Sequence, residues 1–314
     1  MSLISVIVPA YNEEEVINES YARLKETMDK SNEDYELIFI NDGSRDKTLP
    51  MLFDLAKKDK NVKVLSFSRN FGHQCAVTAG MSYAGGDAAV IIDADLQDPP
   101  RVILEMLEKW REGYEVVYGK RAKRKGETFF KKLTAAAFYR FLKSMTPVDM
   151  PEDTGDFRLI DKKVIATMNS LPERNRYLRG LGSWIGFKQC PVEYVREERF
   201  AGETKYPLKK MLKLAFDGIT AFSYKPLKIA TTLGIFVCLF SALLPLIFAA
   251  IRLITGGVFA LGEHDFIYAV TFLQGAIFLA LGIIGEYIAR ICDEVRGRPN
   301  FIISESFGFE REER

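Results

Sequence analysis

The stretch AAVIIDADLQD, residues 88–98, decides the fold class of this chain. Its first five residues are apolar and follow Gly85 and Gly86, which is the pattern of a short, fully buried strand in a parallel sheet. Acidic residues come directly after this strand, and open α/β sheets bind their ligands at the carboxyl ends of their strands. The stretch therefore predicts an α/β fold with a binding site at the end of this strand.

Three acids, Asp93, Asp95 and Asp98, lie close together in this stretch. Their carboxylates repel one another unless a cation or a set of hydrogen-bond donors holds them. A hard divalent metal that also binds phosphate oxygens suits Asp93 and Asp95, with the side-chain oxygen of Gln97 as a neutral ligand. The alternative is a capped and solvated turn between a strand and a helix, which needs no ligand.

Apolar runs and helical patterns alternate along the chain before residue 200. The predicted strands are Leu3–Pro9, Tyr35–Ile40, Val62–Phe67, Ala88–Ile92 and Glu115–Gly119, and the predicted helices are Glu13–Lys30, Asp46–Lys58, Ala76–Ala84 and one opened by Pro99 and Pro100. Strands that alternate with helices in this way form βαβ units, whose strands are parallel. We therefore expect a mainly parallel sheet.

Two further polar turns follow strands of the same predicted sheet. Pro9-Ala-Tyr-Asn-Glu-Glu14 ends the first strand, and Asn41-Asp-Gly-Ser44 ends the second. Because the carboxyl ends of parallel strands meet at one edge, we expect both turns to lie beside the acidic stretch. The Asp42 carboxylate could accept hydrogen bonds from a base or a ribose. The three turns together predict a site for a nucleoside diphosphate.

Composition excludes several classes of function. Lys and Arg number 43 against 42 Asp and Glu, so the chain lacks the strong positive charge typical of nucleic-acid binding. It contains no Walker-type phosphate loop. Its two histidines, His73 and His264, offer little for a zinc site or a Ser-His-Asp triad. We expect His73 to organise the loop 68–74 rather than to take part in catalysis.

Two apolar segments near the carboxyl end are each long enough to cross a bilayer as a helix. Residues 229–251 contain no charged side chain, and residues 266–289 contain only Glu286. The alternative is a pair of buried core helices, which two such segments in succession disfavour. Basic residues flank the pair on its outer sides, and this predicts a multi-pass protein of the cell membrane with both termini in the cytoplasm.

Residues 127–145 and 207–222 each show an amphipathic helical pattern, with apolar residues on one face and basic residues elsewhere. In the second segment, lysines lie at the margins of the apolar face, and the first apolar span follows directly. Such a helix suits the headgroup region of a bilayer. The alternative for both segments is packing onto the sheet.

Six motifs occur in order along the chain: PAYNEE (9–14), NDGS (41–44), SRNFGHQ (68–74), DADLQDPP (93–100), TGDFRL (154–159) and RFAGETKY (199–206). They resemble those of the family 2 inverting glycosyltransferases with a GT-A fold. Within these, the chain is similar to the polyisoprenyl-phosphate group of dolichol-phosphate mannose synthase and bactoprenol glucosyltransferase. Processive synthases of the family carry a QxxRW motif where this chain has Glu173–Arg179, which argues against polymer synthesis.

This resemblance implies roles for several residues. Mg²⁺ or Mn²⁺ would be held by Asp93, Asp95 and Gln97. Asp95 would take part in catalysis together with Asp156, which lies where the family has its catalytic base. The residues implied to contact the nucleotide are Pro9, Tyr11, Glu13, Asp42 and Asp93.

The acceptor implied by the resemblance is a polyprenyl phosphate. Its oxygen is largely ionised near neutral pH, so the harder task is to bring it beside an anionic diphosphate, which calls for cations. Basic residues suited to the lipid phosphate or the diphosphate are Arg121, Arg124, Arg199 and Lys205. The guanidinium of Arg121 can fork onto phosphate. The alternative for its cluster is a solvated loop, or a patch that binds anionic lipid without specificity.

We therefore expect a Rossmann-like GT-A domain over residues 1–206, an interfacial helix and linker over 207–226, a transmembrane hairpin over 227–291 and a cytoplasmic tail over 292–314. The expected reaction is inverting transfer of one sugar from a UDP-sugar to undecaprenyl phosphate at the cytoplasmic face. Glucose is the first candidate, GlcNAc, mannose or an amino sugar are alternatives, and a homo-oligomer is left open. A non-catalytic membrane anchor that binds a sugar nucleotide is the rival hypothesis, although the acids it would have lost are present.

Overall fold

The computed structural model describes residues 1–122, 154–174, 176–197, 223, 225–254 and 263–309. These residues form an eight-stranded sheet flanked by helices. The strands are β1 (Leu3–Ala10), β2 (Asp34–Asn41), β3 (Val62–Phe67), β4 (Ala88–Ile91), β5 (Val116–Arg121), β6 (Thr154–Asp161), β7 (Gln189–Tyr194) and β8 (Ile303–Phe307). The helices are α1 (Ile17–Asp29), α2 (Thr48–Lys58), α3 (His73–Tyr83), α4 (Val102–Arg111), α5 (Lys162–Ser170), α6 (Leu178–Trp184), α7 (Lys225–Ile254) and α8 (Glu263–Arg296).

The strand order across the sheet is β7-β5-β6-β4-β1-β2-β3-β8. β1 is parallel to both of its neighbours, β2 and β4, and two further pairs, β2 with β3 and β5 with β7, are also parallel. β6 runs antiparallel to β4 and β5, and β8 runs antiparallel to β3. The sheet is thus mostly parallel, as the alternation of strand and helix patterns predicts.

β1 is covered on both faces of the sheet, which explains why it is almost entirely apolar. Ile4 and Val8 belong to the core on one face, and Ile7 belongs to the core on the other. On this second face α3 packs very closely, since a β-carbon on Gly80 would lie 2.3 Å from the Ile7 side chain. Gly80 therefore lets α3, whose first residue is His73, approach the sheet closely.

The five strands predicted from apolar runs are confirmed, with ends that shift by one or two residues. The sequence patterns do not predict β6, β7 or β8. β8 lies in the segment 292–314, which was expected to form a separate tail. Instead it pairs with β3, with Glu305 opposite Ser66, and covers what would otherwise be an open sheet edge. The carboxyl-terminal part of the chain thus completes the sheet of the first domain.

The long helices α7 and α8 pack against each other and expose many apolar side chains. Within α8, Phe272–Arg296 has the length and composition of a membrane span, and it is the one such stretch found among the described residues. The two-span hairpin of the sequence analysis therefore stays a prediction. The amphipathic segments 127–145 and 207–222 lie outside the described residues.

Candidate active site

The turns after β1 and β2 lie side by side, as their positions at the strand ends predict. The backbone N–H of Asn12 donates to Ser44 Oγ at 3.0 Å, and other backbone N–H groups of each turn donate to side chains of the other. Tyr11 and Glu13 remain partly exposed at this edge, whereas Pro9 is buried within β1. The two turns therefore form one continuous, hydrogen-bonded rim.

Asp42 connects this rim to the loop after β3. Its buried carboxylate accepts hydrogen bonds from the N–H of Phe71 at 2.7 Å and from the N–H of Gly72 at 3.0 and 3.2 Å. Gly43 has a φ of +66°, and a β-carbon there would lie 2.4 Å from the carbonyl carbon of Arg69. Asp42 thus holds the loop that leads into α3. Its contact with a base or a ribose stays a prediction.

The acidic turn after β4 has an unusual backbone. Leu96 has a φ of +59°, a left-handed conformation that residues other than glycine rarely adopt. Asp95 is buried, and its Oδ1 accepts a hydrogen bond from the N–H of Gln97 at 3.1 Å. Backbone strain of this kind concentrates at functional sites. The turn therefore has the local character expected of a ligand-binding segment.

Asp93 lies where several negative charges meet. Burial raises the pKa of its carboxyl to about 6, the cation His73 opposes this shift, and the carboxylates of Asp156, Asp95 and Asp98 add to it. A divalent cation relieves such repulsion, so this donor set fits Mg²⁺ or Mn²⁺. No cluster of three His, Cys, Asp or Glu side chains able to hold a metal is found within the described part of the chain. A metal here would need oxygens from a bound phosphate as well, which is how proteins usually bind Mg²⁺.

Asp156, near the start of β6, is held by cations. Arg179 of α6 donates to both carboxylate oxygens, from Nε to Oδ1 at 2.7 Å and from Nη2 to Oδ2 at 3.1 Å. Burial raises the pKa of Asp156, but Arg179 and His73 outweigh burial and hold the pKa well below its ordinary value. Asp156 is therefore ionised at neutral pH and is poorly suited to accept a proton.

His73 lies between the metal-binding candidates and Asp156. Its Nε2 is 3.2 Å from Asp156 Oδ2 and 3.7 Å from Asp93 Oδ1, without the geometry of a hydrogen bond. Burial lowers the pKa of His73, but the two carboxylates outweigh burial and raise it to about 9. That His73 organises the loop 68–74 stays a prediction. The structure places its imidazolium between two acids of the site.

Arg121, predicted to bind phosphate, lies at the end of β5 beside Asp156. A β-carbon on Gly155 would lie 2.8 Å from Arg121 Nη2, so the guanidinium passes directly over the backbone next to Asp156. The same Nη2 is 3.9 Å from Asp98 Oδ2. The other predicted basic residues, Arg124, Arg199 and Lys205, lie outside the described residues.

Two arginines near Asp156 are not indicated by the sequence patterns. Arg158 of β6 is buried, and its Nη2 donates to the carbonyl of Gly155 at 3.1 Å. Arg179 lies at the end of the segment Glu173–Arg179, where the sequence shows only a departure from the QxxRW motif. The partner of a lone arginine depends on the fold. The only signal in the sequence for a role of Arg179 is therefore the position of its segment after the TGDF motif.

Residues 5–168 match the family model described as glycosyl transferase family 2. The chain belongs to glycosyltransferase family 2. It is 58% identical over 306 residues to the uncharacterized glycosyltransferase YkcC of Bacillus subtilis, over 98% of this chain and 94% of that protein. It is 40% identical over 306 residues to the bactoprenol glucosyl transferase of Shigella phage SfII, over 96% of this chain and 98% of that protein.

Among solved structures, this family 2 glycosyltransferase is similar to glucosyl-3-phosphoglycerate synthase from Mycobacterium tuberculosis, determined with Mn²⁺, UDP and phosphoglyceric acid. The TM-score is 0.50 and the identity 22%, over 70% of this chain and 76% of the synthase. The likeness shows that the α/β domain has the Rossmann-like GT-A fold.

Proposed function

We propose that this glycosyltransferase transfers a single sugar from a nucleotide diphosphate sugar to a polyprenyl phosphate at the cytoplasmic face of the membrane. UDP-glucose is the first candidate donor and undecaprenyl phosphate the first candidate acceptor. Direct attack of a phosphate oxygen on the anomeric carbon inverts the configuration there. An α-linked donor would then give a β-linked lipid product.

The observation that carries this proposal is the double hydrogen bond from Arg179 to Asp156. A sugar hydroxyl must lose a proton when it attacks, and it needs a base within reach. Asp156 is the acid at the family's base position, yet both of its oxygens are already bound and its pKa is low. An acceptor that arrives already ionised needs no such base, and a lipid phosphate satisfies this condition.

In this mechanism Asp156 positions cations instead of accepting a proton. It holds Arg179 by two hydrogen bonds and His73 by an ion pair, so two positive side chains stay fixed near the acidic turn. Fixed charges that need no reorganisation are effective at stabilising charge that develops in a transition state. Together with Arg121, these cations would offset the repulsion between an incoming phosphate and the donor diphosphate.

The donor side of the proposal rests on the acidic turn. Asp93 and Asp95, with the Gln97 side chain, would hold Mg²⁺ or Mn²⁺. A divalent ion there would stabilise the negative charge that develops on the leaving diphosphate. The presence of Mn²⁺ and UDP in the mycobacterial synthase of the same fold supports this assignment. Tyr11 and Glu13, partly exposed on the adjoining rim, would contact the nucleoside.

The acceptor side is supported by the relatives and by the apolar helices. A relative 40% identical over nearly the whole chain is named a bactoprenol glucosyl transferase. α7 and α8 expose apolar side chains along helices of 30 and 34 residues, which suits a hairpin in the bilayer. The segment 207–222 would lie at the headgroups and bring the site to the lipid phosphate.

An assay with purified full-length protein tests the proposal. The protein is incubated with undecaprenyl phosphate, Mn²⁺ and one labelled nucleotide sugar at a time, including UDP-glucose, UDP-GlcNAc and GDP-mannose. We expect one donor to yield a lipid monophosphate sugar that carries a single residue. Absence of labelled lipid with every donor would contradict the proposed reaction.

A further inference from the structure

A second polar cluster in the acidic turn is built around Asp98. Asp98 is only 1% exposed, and Tyr194 Oη donates a hydrogen bond to its Oδ1 at 2.5 Å. The Tyr194 ring is tightly placed, because it packs edge-on against Phe157 and a β-carbon on Gly119 would lie 2.8 Å from it. The position of the Asp98 carboxylate is therefore fixed by the sheet.

Two arginines converge on this one carboxylate. Arg121 Nη2 lies 3.9 Å from Asp98 Oδ2, and Arg196 Nε lies 3.6 Å from Asp98 Oδ1. Both distances exceed those of a hydrogen bond. Within the described residues, the buried Nε atoms of both arginines and Oδ2 of Asp98 have no hydrogen-bond partner. The cluster therefore holds two guanidinium groups near an acid, and the Nε donor of each has no partner among the described residues.

This arrangement is costly unless an anion completes it. Buried donors without partners destabilise a folded protein, and two cations opposite one carboxylate leave a surplus positive charge. The side chain of Arg121 nevertheless remains about a third exposed, and that of Arg196 about a quarter exposed. A small anion could therefore reach both groups, and guanidinium forks match the geometry of phosphate oxygens.

The location of the cluster indicates that the anion is a phosphate group of a substrate. Arg121 passes over Gly155, next to Asp156, and the N–H of Glu197 donates to the carbonyl of Gln97 at 2.9 Å. The segment that carries Arg196 is thus tied to the turn that carries the metal-binding candidates. An anion held by the two arginines would lie between that turn and Asp156, where the proposed reaction brings two phosphate groups together.

We propose that Arg121 and Arg196 together bind a phosphate group of a substrate, and that Asp98 and Tyr194 are positioning residues that hold the two guanidinium groups apart at the spacing it requires. The inference rests on the proposed function for the identity of the phosphate. The chemistry is shared by the lipid phosphate and the donor diphosphate, and the experiment separates these two sources.

The test measures direct binding to the purified full-length protein, without turnover. Isothermal titration with UDP in the presence of Mn²⁺ reports the donor diphosphate, and titration with farnesyl phosphate reports the acceptor phosphate. The variants are Arg196→Gln, Arg196→Lys and Tyr194→Phe. The last of these keeps the aromatic ring and removes only the hydroxyl. The matched control is Arg101→Gln, since exposed Arg101 pairs with the neighbouring Glu197 at 3.5 Å. Thermal melts of all variants check the fold.

We expect Arg196→Gln to lower the affinity for one of the two ligands by roughly 10- to 100-fold, the loss typical of a charged hydrogen bond. Arg196→Lys, which keeps the charge and loses the fork, should recover part of that affinity. Tyr194→Phe should lower the affinity for the same ligand by about threefold or more, which is a smaller loss than that of Arg196→Gln. Loss of farnesyl phosphate binding alone assigns the site to the acceptor, and loss of UDP binding alone assigns it to the donor.

Unchanged binding of both ligands in folded Arg196→Gln would overturn the inference, as would an equal loss in the Arg101→Gln control. A folded Tyr194→Phe protein with wild-type affinities would overturn the positioning role of Tyr194. A wild-type protein that transfers no sugar would contradict the proposed function but would leave these binding comparisons intact.

Discussion

Arg179 holds Asp156 through two hydrogen bonds, from Nε to Oδ1 at 2.7 Å and from Nη2 to Oδ2 at 3.1 Å. The pair joins α6 to β6 and occupies both oxygens of the acid at the family's base position. A carboxylate bound in this way stays ionised far below neutral pH. The relationship therefore shifts the expected role of Asp156 from proton acceptor to anchor for nearby cations.

Replacing Asp156 with Asn should reduce kcat strongly while sugar-nucleotide binding is retained. The amide lacks the charge that holds Arg179 and His73, so the cations near the reacting groups lose their fixed positions. We expect a loss of about 10²-fold in kcat, comparable to removal of a strong electrostatic stabiliser. Steady-state kinetics and UDP titration separate the two effects. The exposed acid Asp87 provides the control, and a near-wild-type kcat in Asp156→Asn would refute the assignment.

Catalysis should require a divalent metal held at the acidic turn. Asp95→Ala removes one of the two carboxylates proposed to bind it and should lower turnover by about 10²-fold or more. Excess EDTA should abolish transfer by the wild-type protein, and Mn²⁺ or Mg²⁺ should restore it. Full activity in EDTA would rule out a metal-dependent step.

Metal binding should weaken in acid because protons compete for Asp93. The folded-state pKa of this carboxyl is raised to about 6, so the group binds a proton as the pH falls through that value. The metal binds the ionised form, and its apparent affinity should fall about tenfold for each pH unit below 6. Titration of the protein with Mn²⁺ between pH 5 and pH 8 measures this slope. An affinity that stays constant between pH 5 and pH 7 would show that Asp93 is not a ligand.

The raised pKa of Asp93 also makes the stability of the metal-free protein depend on pH. A carboxyl with a raised pKa is more stable in the folded protein when protonated, so its ionisation destabilises the fold as the pH rises from about 4 towards 6. Saturating metal, which binds the ionised carboxylate, should offset this loss of stability at pH 6 and above. Thermal melts of the metal-free and metal-bound protein across this range therefore provide an independent readout of Asp93.

The segment 207–222 is predicted to tether the catalytic domain to the membrane surface. Replacing Met211 and Leu212 with Asp should disrupt its apolar face, while Lys209, Lys210 and Lys213 remain to contact anionic lipid. Transfer to undecaprenyl phosphate in vesicles should then fall far more than UDP binding does. Equal activity of the double variant and the wild type in vesicles would contradict the tethering role.

The central strands could be predicted because burial on both faces leaves mainly apolar residues. β1 is apolar apart from Ser5, β4 is a continuous apolar run, and both appear in the structure close to their predicted ends. β8 could not be predicted in this way, since Ile303–Phe307 is mostly polar and pairs with the distant β3. β8 forms because the chain that follows α8 lies beside the edge strand β3. The local sequence of β8 does not indicate this position.

The candidate site shows the same division. The acids of the turns could be located because each follows a recognisable strand. The cations could not, because His73 at the start of α3 and Arg179 of α6 both meet Asp156 of β6 through contacts between separate elements. A pattern indicates which side chains lie at an edge. The ion pairs among them depend on packing between elements that are far apart in sequence.

The most direct test of the account compares two acceptors of equal chain length, undecaprenyl phosphate and the alcohol undecaprenol, with the same donor and metal. Because Asp156 is bound by Arg179 and is poorly suited to accept a proton, we predict transfer to the phosphate alone, with a β-linked product from an α-linked donor. Efficient transfer to the alcohol, or an α-linked product, would contradict it.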